Sequence, residues 1–242
     1  MLIKTEAVVL RAVRYGDSRL IVDMLTLSEG RESFIVGIPK SSRGRLQKQL
    51  FQVLTLLDIE YDRRPGNHLQ HLKDVSRSYP FASIPFNPQK IAVTLFLSEF
   101  LCYATRGEQG GNEHLFRFVS AALRWLDTVE GQFANFHLAF MIHLTRFLGF
   151  FPNIEGYHPG FLFDLRSGCF TSVAPLHSDF LNAADTSRMA VIMRMDFENM
   201  RFFHFTHEER NRCTEVILYY YRIHVPEFPE LRSFDVVRQL FA

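Results

Sequence analysis

The sequence predicts an α+β chain in two parts: a five-stranded β-barrel over residues 1–80, then a mostly α-helical domain over residues 81–242. Three observations carry this. Short β-branched runs, separated by Gly, Asp and Ser at close spacing, fill residues 1–80. A proline-punctuated linker at residues 79–88 ends that texture. Beyond it, apolar residues recur at helical spacing between start and stop signals.

Ile3, Val9, Leu10 and Val13 mark the first strand, and Tyr15-Gly16-Asp17-Ser18 the first turn. The second strand spans residues 20–27, the turn is Ser28-Glu29-Gly30, and the third strand spans 32–38. A fourth strand is predicted over residues 51–61, a turn over 62–67 and a fifth strand over 68–78. Five strands of this length fit an OB-like barrel. An SH3-like barrel has much the same strand pattern, so periodicity leaves the barrel type open.

In the second part, Asn87 is an N-cap with Pro88 at the first helical position. Helices are predicted over residues 89–105, 112–129, 133–148 and 185–195. Thr206 and Glu209 form a capping box opening a helix that runs to His224, and Ser233 caps a last short one. Residues 150–175 are irregular and rich in Gly and Pro. The most apolar stretch, 133–151, is interrupted by Asn135, His137, His143 and Arg146, which suits a buried helix and not a membrane span.

The strongest functional signal follows the third strand. Lys40, Arg43, Arg45 and Lys48 place four cations in nine residues with no acid among them. Gly44 and two serines leave the backbone free to follow phosphates. Binders of single strands combine such a cationic track with aromatic stacking platforms. In an OB barrel the loops joining strands 1–2 and 4–5 flank the ligand face. Those loops carry Arg14, Tyr15 and Arg19, and Arg63 and Arg64. Phe34 and Phe51 are further stacking candidates, or core residues. Overall charge is only +1, but residues 1–80 hold 13 Lys/Arg against 9 Asp/Glu and the remainder 14 against 17. The barrel is thus the basic half.

Cys102, Cys169 and Cys213 lie far apart, with no CxxC. Met1 leads straight into a strand without an apolar signal segment, and the expectation is a cytoplasmic protein. No enzyme constellation assembles. His207-Glu208 begins like a zincin helix, but Asn211 stands where the second His belongs. Glu99, in an apolar helix, is expected to be paired with an arginine.

Taken together, Val8-Val9-Leu10, Tyr15-Gly16-Asp17-Ser18, Thr26 with Gly30-Arg31, Gly37 with the basic run 40–45, and Leu50-Phe51 resemble the bacterial recombination mediator family RecO. Glu99, residues 113–116, Leu148-Gly149 with Pro152, residues 221–224 and Ser233 agree more loosely. The resemblance implies an OB-fold joined to a helical domain. It implies binding and annealing of single-stranded DNA, without an enzymatic step or a cofactor. RecA loading with RecR and single-stranded-DNA-binding protein would follow. An acidic, apolar C-terminal tail of the latter needs an apolar pocket and a cation; Arg117, Arg124, Arg146, Arg210 and Arg212 are the candidates.

One departure stands out. Many members of that family carry a four-cysteine zinc site where this chain offers Cys169, with His158 and His177 nearby. A structural zinc site needs four N/S ligands. The irregular segment, about 150–180, is expected to be held instead by Phe161, Leu162, Phe163 and Phe170. The alternative to DNA binding is a scaffold whose barrel takes a partner protein while the basic loop is merely solvated.

Overall fold

The computed structural model describes residues 1–38, 48–64, 66 and 68–240. The chain divides into two compact units, Met1–Thr128 with Leu231–Val237, and Val129–Glu230 with Arg238–Ala242.

In the first unit, β1 (Leu2–Tyr15), β2 (Arg19–Thr26), β3 (Gly30–Gly37), β4 (Leu56–Asp62) and β5 (Gln70–Arg77) close a barrel in the order β1-β2-β3-β5-β4. β1 pairs antiparallel with both β2 and β4, and the parallel β3–β5 pair completes the wall. That closure is the OB arrangement and resolves the choice left open by periodicity. Alternation along the strands fills the interior: Ala7 and Val9 from β1, Leu20, Val22 and Met24 from β2, Phe34 and Val36 from β3, Leu57, Ile59 and Tyr61 from β4.

Two expectations change here. The fourth strand starts at Leu56, not at residue 51. Residues 51–54 turn instead, with Leu54 left-handed at φ 58°. The Leu54 N–H donates to the Val9 carbonyl at 2.7 Å, and Thr55 accepts from Val9 N–H at 3.1 Å, so these groups are satisfied off the ladder. Phe51 then drops into the barrel interior, and Phe34 is fully buried edge-on to Tyr61. Neither phenylalanine is a stacking platform; both are core.

α1 (Pro88–Ala104) packs on β1, where a bulge between Val9 and Arg11 turns the Leu10 carbonyl toward the Ser98 hydroxyl at 2.6 Å. Asn87 caps α1 through the N–H groups of Gln89 and Lys90, with Pro88 at its first position. α2 (Glu113–Thr128) buries Leu115, Phe116, Val119, Leu123 and Leu126 on one face. The glycines between the two helices do more than break them. Gly110 N–H donates to Glu29, and Arg31 N–H donates to Glu108, so this loop pairs with the β2–β3 turn. A Cβ on Gly111 would strike the Ser28 carbonyl.

In the second unit, α3 (Phe136–Leu148), α4 (Ala183–Ile192) and α5 (His207–His224) pack on one another, and α4 packs on a small sheet. It is built from β6 (Leu162–Asp164), β7 (Cys169–Thr171) and β8 (Phe180–Leu181), in the order β7-β6-β8. Thr206 and Glu209 make the reciprocal capping box of α5. Phe163 is buried 5.2 Å from Phe170 and 6.3 Å from Tyr220. Polar bonds tie the same hairpin: His177 lies 3.4 Å from Asp164, and Arg166 donates to Asp179 at 2.6 Å. Cys169 contacts the Ser167 carbonyl, and no metal-binding cluster of His, Cys, Asp and Glu exists among the described residues. No helix of the described residues is long and apolar enough to cross a membrane. α6 (Phe234–Arg238) follows near the end of the chain.

Candidate nucleic-acid interface

Alternation that fills the barrel also makes its outer wall. On β1, Arg11, Val13 and Tyr15 point away from the core, opposite Asp23, Ile21 and Arg19 of β2. Ile21 faces Ile35 of β3, which faces His71 of β5. Val13, Ile21, Ile35 and His71 therefore form one row across four strands. Val13 and His71 are exposed, and Ile21 and Ile35 are half-buried. Beside this row, at the hairpin tip, Tyr15 and Arg19 are direct cross-strand partners, with Tyr15 54% exposed. Arg14 is exposed at the open end of the barrel, next to Leu20 in register. Neither Arg14 nor Arg19 has an ion pair among the described residues.

Other predicted cations fare differently. Lys48 is exposed, and its carbonyl accepts the Phe51 N–H at 3.2 Å. Lys40, Arg43 and Arg45 lie outside the described residues. Arg63 pairs with Glu29 at 2.7 Å, which ties the β4–β5 loop to the β2–β3 turn. Arg64 is exposed, and its backbone is held on both sides by the Gln70 amide. So the structure gathers Arg14, Tyr15 and Arg19 on one hairpin and holds Arg63 and Arg64 on a braced loop.

At the other end of the β1 outer row sits a group the sequence reading missed. Asp23 is buried and receives Arg11 at 2.6 Å, Ser33 at 2.6 Å and Arg31 at 3.5 Å. Arg31 also donates to the Cys102 carbonyl of α1. Burial pushes the Asp23 carboxyl up, but the Ser33 hydroxyl and the guanidiniums of Arg11 and Arg31 outweigh it and hold its pKa low. The period-2 pattern of Arg11, Val13 and Tyr15 against Arg19, Ile21 and Asp23 was the available signal.

Of the five candidate anchors for a peptide, Arg117 pairs with Glu113 one turn away at 2.7 Å. Arg124 lies 4.9 Å over the Tyr79 ring. Both line a shallow groove of about 350 Å³ with Glu6 and Phe116. Arg146 is exposed, 4.1 Å over Phe151. Arg210 is buried, donating to Asn135 at 3.1 Å and to the Phe205 carbonyl at 2.9 Å, and burial lowers its pKa. Arg212 is bound by Asp185 at 2.7 Å and sits 3.6 Å from Glu215.

Residues 1–81 match the family described as Recombination protein O N terminal, and residues 85–233 match Recombination protein O C terminal. The chain belongs to the recombination protein O family. Within that family it is 42% identical, over the whole of both chains, to the DNA repair protein RecO of Phocaeicola vulgatus. It is 44% identical to that of Bacteroides fragilis and 33% identical to that of Flavobacterium psychrophilum, again over the whole of both chains. The recombination protein O N-terminal match covers the entire barrel, so the exposed hairpin and the outer row lie within the matched residues.

Proposed function

We propose that this protein is a cytoplasmic, non-enzymatic DNA repair and recombination mediator that binds single-stranded DNA on the outer wall of its barrel. One observation carries the reading: an OB barrel presents a half-apolar row, with Tyr15 and Arg19 side by side at its edge. Apolar and aromatic side chains stack bases, and cations follow the phosphates, without sequence preference. Its relatives' name, DNA repair protein, agrees. Lys40, Arg43, Arg45 and Lys48 extend the cationic track, with Arg14, Arg63 and Arg64. Annealing follows passively, because cations that screen two strands at one surface lower their mutual repulsion. With RecR, the protein then helps load RecA onto DNA coated by single-stranded-DNA-binding protein. For the tail of that protein, Arg146 is the better anchor, since Arg210 is internal and Arg117, Arg124 and Arg212 each already face a carboxylate.

The test is anisotropy of a labelled oligothymidylate titrated at several salt concentrations. Log affinity should fall with log salt by roughly 0.7 per phosphate neutralised. Replacing Lys40, Arg43, Arg45 and Lys48 together by Gln should make the slope shallower by about 2–3 units. No binding by the wild-type chain at low salt would overturn the reading in favour of a protein-binding scaffold.

A further inference from the structure

Between the barrel and α1 lies a cleft of about 390 Å³, lined among others by Arg11, Arg31, Leu95, Glu99, Tyr103 and Arg106. All of these belong to the first unit. The volume is in the range of ligand sites, roughly 300–1,000 Å³. Three guanidiniums and one carboxylate lie on this lining. Glu99 already accepts hydrogen bonds from Arg232 and Ser233, and Arg31 is held by Asp23 and the Cys102 carbonyl. Arg11 pairs with Asp23 while its side chain stays 56% exposed. Arg106 is exposed and sits 5.0 Å over the half-buried Tyr103 ring. Leu95 is 46% exposed. The chemistry is therefore anion-seeking guanidinium beside an aromatic and an aliphatic surface, which suits a nucleotide with its phosphate and planar base.

Position strengthens this. Arg11 is the first member of the outward series Arg11, Val13, Tyr15 on β1, at the end away from the hairpin tip, so the cleft begins where that series ends. We infer that a bound single strand leaves the barrel wall along β1 and seats one nucleotide in this cleft, its phosphate by Arg11 and Arg106 and its base against Tyr103 and Leu95. The inference rests on the reading that the barrel wall binds single-stranded DNA.

An oligothymidylate carrying 5-iododeoxyuridine, irradiated on the wild-type chain and mapped by peptide mass spectrometry, separates the two. Adducts on both Tyr15 and Tyr103 are expected. An adduct on Tyr15 without one on Tyr103 would overturn the cleft and leave the barrel wall standing, whereas absence of binding and of any adduct would overturn both. In parallel, a folded Arg106→Gln variant should bind roughly tenfold more weakly, with a salt slope shallower by about 0.7. Wild-type affinity and slope in that variant would also overturn the cleft.

Discussion

Glu99 accepts the backbone N–H of Ser233 at 2.8 Å and that of Arg232 at 3.2 Å, and it also takes the Ser233 hydroxyl. The expected arginine partner is replaced by the entrance to α6. A carboxylate from the middle of α1 thus holds in place a segment from near the chain's end, where Phe234 lies 6.2 Å from Phe96. Glu99→Ala should cost about 1–2 kcal/mol, the scale of a lost helix cap. Glu99→Gln should recover part of that. Urea unfolding of the three proteins checks it; equal midpoints for wild type and Glu99→Ala would contradict it.

Asp127 does the same for the linker between barrel and helices. Its carboxylate accepts the N–H groups of Ala82, Ser83 and Ile84, all within 2.8–2.9 Å. Burial pushes this carboxyl up, but those backbone donors outweigh it, so its pKa lies below the ordinary carboxylate value of 3.8. A depressed folded-state pKa means that its stabilisation is complete above that value and is lost as pH falls further. Asp127→Asn should destabilise at neutral pH by about 1–3 kcal/mol and flatten the acid limb below pH ~4. A variant with an unchanged acid limb would argue against this role.

His137 makes the second acid-sensitive point. It is buried, 3.1 Å from Thr214, and burial with Arg210 nearby takes its pKa from 6.5 down to about 3. The unfolded chain therefore binds a proton below pH 6.5 that the folded chain refuses. Stability should fall with pH from there, by up to about 1.4 kcal/mol per unit, until roughly pH 3. Whatever its effect on stability at pH 7, His137→Gln should make that slope shallower, with the lowered pKa of the partly buried His143 accounting for what remains. Denaturation midpoints at pH 7 and pH 5 suffice to test it.

Metal should not contribute. Cys169 is the lone cysteine of the hairpin, and its sulfur reaches only the Ser167 carbonyl among the described residues. Chelator should leave the melting temperature unchanged, and elemental analysis should find no stoichiometric zinc. About one zinc per chain would contradict both.

Local rules made much of this fold legible. The short apolar, β-branched run at residues 20–25 between two turns marked β2, and Asn87-Pro88 and the Thr206–Glu209 box marked two helix starts, because each signal lies within one turn or strand. The start of β4 was not legible. Residues 50–57 are almost continuously apolar, and only Val9, far back in the chain, decides where pairing begins. Barrel closure through β3 and β5, and the partners of Glu99 and Asp23, are likewise set by distant residues. For the site, charge marked Arg14 and Arg19 at once. The row of Val13, Ile21, Ile35 and His71 needed the strand register, since isoleucines in a strand read first as core.

The account stands on the β1–β2 hairpin as a DNA contact, and the salt dependence of oligothymidylate binding by the Arg14→Ala, Arg19→Ala double variant tests it most directly. Both residues are exposed and have no ion pair among the described residues, so folding should be unaffected. If each neutralises a phosphate, the slope of log affinity on log salt should be shallower than wild type by about 1.4, with weaker binding at low salt. A folded double variant with wild-type affinity and slope would place the DNA elsewhere and contradict the account.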